Sequence, residues 1–91
     1  METIRLKIVT PDGVFKDTEV RAVYLNTANG YTEILPRHME FVTPIKEGKL
    51  ETVVADGREQ YKVGDGLLYV EKSLITVLVE KISLNNNEKS E

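Results

Sequence analysis

Leu50-Glu51-Thr52-Val53-Val54-Ala55-Asp56-Gly57-Arg58-Glu59-Gln60-Tyr61-Lys62-Val63 is the stretch that decides the fold. Two runs rich in branched and aromatic residues, Leu50–Ala55 and Glu59–Val63, flank Asp56-Gly57. That dipeptide is a strong short-range hairpin signal, because glycine supplies the positive φ of a tight turn and Asp bonds back to the chain. The expectation is an antiparallel pair of strands. Working outward, the same grammar recurs. Turn clusters Pro11-Asp12-Gly13, Asn29-Gly30, Glu47-Gly48 and Gly64-Asp65-Gly66 punctuate the chain, and the runs between them keep period 2. Ile4, Leu6 and Ile8 share one face, with Arg5 and Lys7 on the other. Residues 20–25 read as a strand that is partly apolar on both faces. Phe41–Ile45, Leu67–Glu71 and Ile75–Leu84 complete the set. Within the last run, Ile75, Val77 and Val79 follow the strand period, so a helix is not expected there.

Composition points the same way. Val, Ile and Thr number 11, 6 and 8 against three Ala, and branched side chains fit a pleated strand better than a helix. Many short strands with frequent turns predict an all-β protein, an antiparallel β-sandwich or partly closed barrel. With 91 residues there is room for one core. The expected division is a domain over 1–84 and a polar disordered tail over 85–91, where Asn85-Asn86-Asn87 opens a segment unable to bury apolar surface.

Several function classes are disfavoured. No apolar run approaches the roughly 20 residues of a membrane-spanning helix, and the N-terminus lacks the pattern of a secretory signal. The chain has no cysteine and one histidine, which leaves no expected metal site and no cofactor. The net charge is −3 with both signs interspersed, so no nucleic-acid partner is expected. His38 is the one group that ordinarily titrates near neutrality, but no serine or carboxylate stands near it in a triad pattern. Gly64-Asp65-Gly66 resembles a phosphate loop, yet a strand follows it instead of the helix whose N-terminus would hold the anion. Lys72 sits at an expected hairpin tip, Glu71-Lys72-Ser73, where a lipoyl or biotinyl carrier would place its modified lysine. The Asp or Met that flanks such a lysine is missing, so a solvated loop tip is the expected reading.

The central segment holds His38 between Pro36 and Pro44, each of which restricts the residue before it to extended geometry. That arrangement either presents Arg37, His38 and Met39 in a fixed pose or is a plain strand–loop–strand connection.

Four stretches then resemble one family in order and spacing, the epsilon subunit of F-type ATP synthases. They are Leu6-Lys7-Ile8-Val9-Thr10-Pro11-Asp12-Gly13-Val14-Phe15, Ile34-Leu35-Pro36-Arg37-His38, Phe41-Val42-Thr43-Pro44-Ile45-Lys46-Glu47-Gly48 and Gly64-Asp65-Gly66-Leu67-Leu68-Tyr69-Val70. The resemblance runs from residue 4 to about 82. It implies a sandwich of two sheets, about ten short strands, in the rotor's central stalk. The implied role is non-catalytic: docking on the gamma subunit and the c-ring to couple ion translocation to ATP synthesis, peripherally on the cytoplasmic face of the cell membrane and without membrane insertion. The implied gamma-binding residues are Thr10, His38, Met39, Phe41 and Thr43. The implied ring-facing loop is Thr27, Ala28, Asn29, Gly30 and Tyr31. Tyr31, Glu33 and Arg37 depart from the family's Gly-Glu-Leu-Gly and Pro-Gly-His patterns. The family's C-terminal helical hairpin has no counterpart after Leu84, so the chain reads as a short form. The alternatives are a free-standing β-sandwich interaction module and a carrier domain modified at Lys72.

Overall fold

A computed structural model describes residues 2–37 and 39–84. The expected tail, 85–91, and His38 lie outside the described residues. Among the described residues nine strands run in chain order: β1 (Ile4–Thr10), β2 (Gly13–Val20), β3 (Ala22–Thr27), β4 (Gly30–Ile34), β5 (Phe41–Val54), β6 (Gly57–Val63), β7 (Gly66–Val70), β8 (Leu74–Val79) and β9 (Ile82–Leu84). The all-β expectation holds, and the described residues contain no helix.

The strands are joined in one continuous ladder, β2-β1-β8-β7-β5-β3-β4, with β6 pairing β5 and β9. The long strand β5 is what makes two layers of it. Its first part, Phe41–Ile45, pairs with β7. Its second part, Gly48–Val54, pairs with β6 and lies beside β3. Sheet I is therefore β2-β1-β8-β7 with the start of β5, and sheet II is β4-β3, the end of β5, β6 and β9. Counting β5 once for each sheet turns nine strands into the ten that were expected. At the start of the second part Gly48 has φ 150, and a Cβ there would lie 2.7 Å from the Asn26 side-chain nitrogen. Glycine takes this positive φ without the strain a Cβ would bring.

Both sheets feed one core. Leu6, Ile8, Leu68, Ile75 and Val77 enter from sheet I, and Val23, Leu25, Ile34 and Leu50 from sheet II, all fully buried. The alternation read from Ile4, Leu6 and Ile8 and from Ile75, Val77 and Val79 is the inward face of sheet I.

Three details differ from the sequence expectation. The sandwich is not wholly antiparallel: β1 and β8 run parallel from Arg5 opposite Leu74 to Val9 opposite Leu78. These segments are far apart in sequence, so no turn dictates their direction. The run 20–25 is not one strand. It breaks at Arg21, whose backbone N–H donates to the Val53 carbonyl at 2.6 Å as the chain passes from sheet I to sheet II. The run 75–84 likewise divides at Glu80 and Lys81, between β8 in sheet I and β9 in sheet II.

The Asp56-Gly57 hairpin forms with its loop displaced by one residue. Ala55 and Asp56 make the loop, and Gly57, at φ 138, closes it opposite Val54. The ladder then runs unbroken from this pair to Gly48 opposite Val63, and glycine takes the positive φ without the cost a Cβ would bring.

Candidate interaction surfaces

Two hairpin tips are built by one local rule. In Thr10-Pro11-Asp12-Gly13, the Thr10 hydroxyl accepts the Asp12 N–H at 3.2 Å and lies 3.5 Å from the Gly13 carbonyl. In Thr27-Ala28-Asn29-Gly30, the Thr27 hydroxyl accepts the Asn29 N–H at 3.0 Å and donates to the Gly30 carbonyl at 3.1 Å. Gly13 and Gly30 follow with φ 122 and 104. Threonine hydroxyls that bond the backbone two residues on preset a turn. The Thr-x-Asp/Asn-Gly repeat was visible in the sequence, and it identifies both threonines as turn-holding residues.

Of the expected gamma-facing residues, the four that are described, Thr10, Met39, Phe41 and Thr43, are spread over sheet I and its edge. Phe41, Thr43 and Ile45 alternate toward the core: Thr43 is 5% exposed, and Phe41 is half-buried against the core cluster. Met39 is 80% exposed. Phe41 pairs with Val70, which pairs with Ile75, which pairs with Leu6. Thr10 lies four residues beyond Leu6 on the same strand, about 13 Å away at the usual rise.

The residues turned outward are others. Cross-strand register aligns Val14, Val9, Leu78, Leu67 and Pro44 in a row over five adjacent strands, β2, β1, β8, β7 and β5. Every member is apolar, Val14, Leu67 and Pro44 are exposed, and Val9 and Leu78 are half-buried. Val42, 61% exposed, extends this surface in the next row. At the Thr10 end the face dips into an open groove of about 540 Å³, with Val9, Leu67 and Leu78 on its floor and Thr10, Asp65 and Glu80 along its rim. Sequence reasoning missed this row because Phe41-Val42-Thr43-Pro44 has apolar residues on both phases, and pattern alone does not say which phase faces out.

The expected ring-facing loop is the β3–β4 tip. Thr27 is buried and bonds the Thr32 hydroxyl at 3.0 Å as well as the turn backbone. Tyr31, 58% exposed, stacks on Tyr24 with centroids 6.3 Å apart. The Arg58 guanidinium lies 5.6 Å from the Tyr24 ring centroid and bonds the buried Glu51 carboxylate at 3.0 Å. The Tyr24 hydroxyl donates to Glu33 at 2.8 Å, a bond that holds the phenol above its ordinary pKa. Glu33 and Tyr31, two of the departures from the family pattern, thus belong to one side-chain array under the tip. The third departure, Arg37, takes φ 70 and pairs with Glu2 at 2.7 Å. The two surfaces meet where the Ala28 N–H donates to the Pro44 carbonyl at 3.0 Å.

Lys72 lies exposed between β7 and β8, its backbone N–H bonded to the Glu40 carboxylate at 2.9 Å. Among the described residues no three His, Asp or Glu side chains converge as a metal site, and no helix is long and apolar enough to cross a membrane.

Comparison with known proteins adds the family. The profile described as "ATP synthase, Delta/Epsilon chain, beta-sandwich domain" matches residues 3–85. The ATP synthase epsilon chain of Alkalihalophilus pseudofirmus is 36% identical over 84 residues, covering 92% of this chain and 63% of that one. The epsilon chain of Alkaliphilus metalliredigens is 34% identical over 76 residues, covering 84% and 57%. The chain therefore spans about three-fifths of the length of these relatives. Among solved structures, a chain of the Euglena gracilis mitochondrial ATP synthase superposes with TM-score 0.85 at 22% identity, over 96% of this chain and 58% of that one. A chain of the Tetrahymena thermophila mitochondrial ATP synthase central stalk and c-ring gives 0.77 at 10% identity, over 97% and 69%. At such identities these two likenesses speak for the sandwich fold alone.

Proposed function

The chain belongs to the delta/epsilon family of ATP synthase chains, as its β-sandwich domain, and from that premise we propose that it is a non-catalytic central-stalk subunit. Sheet I docks on the gamma subunit, and the β3–β4 tip rests on the c-ring. In this role residues 1–84 act as one rigid body that couples ion translocation to ATP synthesis from the cytoplasmic face of the membrane.

The observation that carries this is the outward apolar row from Val14 to Pro44. So small a domain exposes a contiguous apolar surface of this kind at a contact site, since covering it with a partner removes it from water. The polar groups at the tips are engaged otherwise: the Thr10 and Thr27 hydroxyls hold their own turns. That is the construction of a docking scaffold. The load path is short. A force on the docked face at Pro44 reaches the tip through the Pro44–Ala28 hydrogen bond and through β5, which belongs to both sheets. The tip is stiffened by the buried Thr27 and by the Tyr31–Tyr24–Arg58 stack. Within this role Thr10 and Met39 touch gamma at opposite ends of sheet I, while Phe41 and Thr43, turned toward the core, support the outward Val42 and Pro44 from beneath.

The chain has no cysteine, so single-cysteine variants report contacts directly. Asn29→Cys, assembled with the other subunits, is expected to cross-link to the c-ring, whereas Lys72→Cys is not. Equal yields from the two positions refute the tip assignment. Failure of the wild-type chain to co-purify with gamma refutes the docking.

A further inference from the structure

We infer that the groove at the Thr10 end of sheet I selects a gamma segment carrying a large apolar side chain beside a lysine or arginine. The apolar group seats on Val9, Leu67 and Leu78, and the cation is held by Asp65 and Glu80. This rests on the docking of sheet I on gamma proposed above.

The groove has two chemically different parts. Its floor is made of aliphatic side chains from three adjacent strands, set side by side by register. Its rim carries the carboxylates of Asp65 and Glu80, both exposed. These two residues are tied into one corner, because the Glu80 N–H donates to the Asp65 carbonyl at 3.3 Å. Asp65 is fixed further: one carboxylate oxygen accepts the Glu47 N–H at 2.9 Å. The corner cannot slide away from the floor, since β7 and β8 approach so closely that a Cβ on Gly66 would lie 1.9 Å from the Leu78 carbonyl oxygen. The salt bridges among the described residues engage Arg5–Asp17, Lys16–Glu59, Arg37–Glu2 and Arg58–Glu51, and none of them uses Asp65 or Glu80. Two carboxylates without a cationic partner beside an apolar floor complement a side-chain pair that is apolar and basic. A second copy of the chain is the poorer occupant, because each copy carries a net charge of −3 and an acidic rim.

The test titrates purified gamma subunit against wild type, Asp65→Asn, Glu80→Gln, the double variant and Leu67→Ala, at low salt and at about 0.5 M salt, where screening is strong. Asn at 65 retains an oxygen to accept the Glu47 N–H, so charge is removed while the corner stays bonded. Each single neutralisation is expected to weaken binding about two- to fivefold at low salt, the size of an exposed ion pair, with the difference shrinking at high salt. Leu67→Ala should weaken binding at both. If Leu67→Ala weakens binding while the acidic variants match wild type at both salts, gamma docks on the face but supplies no cation. The inference is then overturned and the docking stands. If the wild type itself does not bind gamma, the docking fails, and the inference with it. A wild-type dimer in sedimentation that Leu67→Ala dissociates assigns the groove to a second copy, which also overturns it.

Discussion

Leu67 and Leu68 are neighbours of identical chemistry on β7 that face opposite ways, and truncating each to Ala separates the core from the docking face. Leu68 is fully buried, and Leu67 is 40% exposed. Leu68 lies between Thr43 on β5 and Val77 on β8, within the cluster shared by the two sheets. Leu68→Ala leaves a cavity there and should cost about 3 kcal/mol, within the range of about 2–5 kcal/mol for buried Leu→Ala changes. A domain of this size is stable by only about 5–13 kcal/mol. In melting temperature the loss is about 12–24 °C, at about 4–8 °C per kcal/mol for so short a chain. Leu67→Ala removes a side chain that water already reaches and leaves no closed cavity, so it should cost about 1 kcal/mol or less. Urea unfolding followed by far-UV circular dichroism measures both. Binding should show the reverse order: Leu67→Ala weakens gamma association by about 1–3 kcal/mol if it is a central anchor, while folded Leu68→Ala binds like wild type. Equal destabilisation by the two variants would mean that the inward and outward phases of β7 have been misassigned, and the apolar row along with them.

Arg37→Gly should raise stability by about 0.5 kcal/mol, because release from a left-handed φ, worth about 1–2 kcal/mol, exceeds the added freedom of the unfolded chain and the loss of the exposed pair with Glu2; a clear fall in the urea midpoint contradicts this. Thr27→Val keeps the shape of a buried side chain but removes the acceptor of the Asn29 N–H, and should cost about 1–3 kcal/mol. It should also lower the cross-linking yield of Asn29→Cys to the ring; an unchanged yield would show that the tip is not organised by this hydroxyl. Burial, and then the hydrogen bond to Glu59, push the Tyr61 phenol above its ordinary value. A phenol whose folded pKa is raised contributes stability below the unfolded value of about 10 and loses it as pH rises beyond that. Wild type should therefore weaken between pH 9 and 11 more steeply than Tyr61→Phe, and parallel slopes would exonerate the phenol.

Local chemistry along the chain determined a good deal. Period-2 alternation in Ile4-Arg5-Leu6-Lys7-Ile8 and in Ile75–Val79 marked strands and their inward faces, because only one phase of each could be buried without burying charge or breaking the apolar set. Glycines after short polar pairs placed the hairpins, since positive φ is cheap only for glycine. The four family stretches gave the family. Tertiary structure alone decided the rest. The parallel β1–β8 pairing joins segments that no turn connects, so its direction depends on how the two halves of the chain meet. The breaks at Arg21 and at Glu80-Lys81 lie inside runs with no glycine or proline to mark them, and they exist because the chain must change sheets there. The same limit governed the candidate site. In Phe41-Val42-Thr43-Pro44 either phase is apolar enough to be core, and a one-residue shift exchanges the faces. Packing against Val70 and Leu68 turned Phe41 and Thr43 inward and left Val42 and Pro44 to the solvent, and that choice set which side chains a partner can reach.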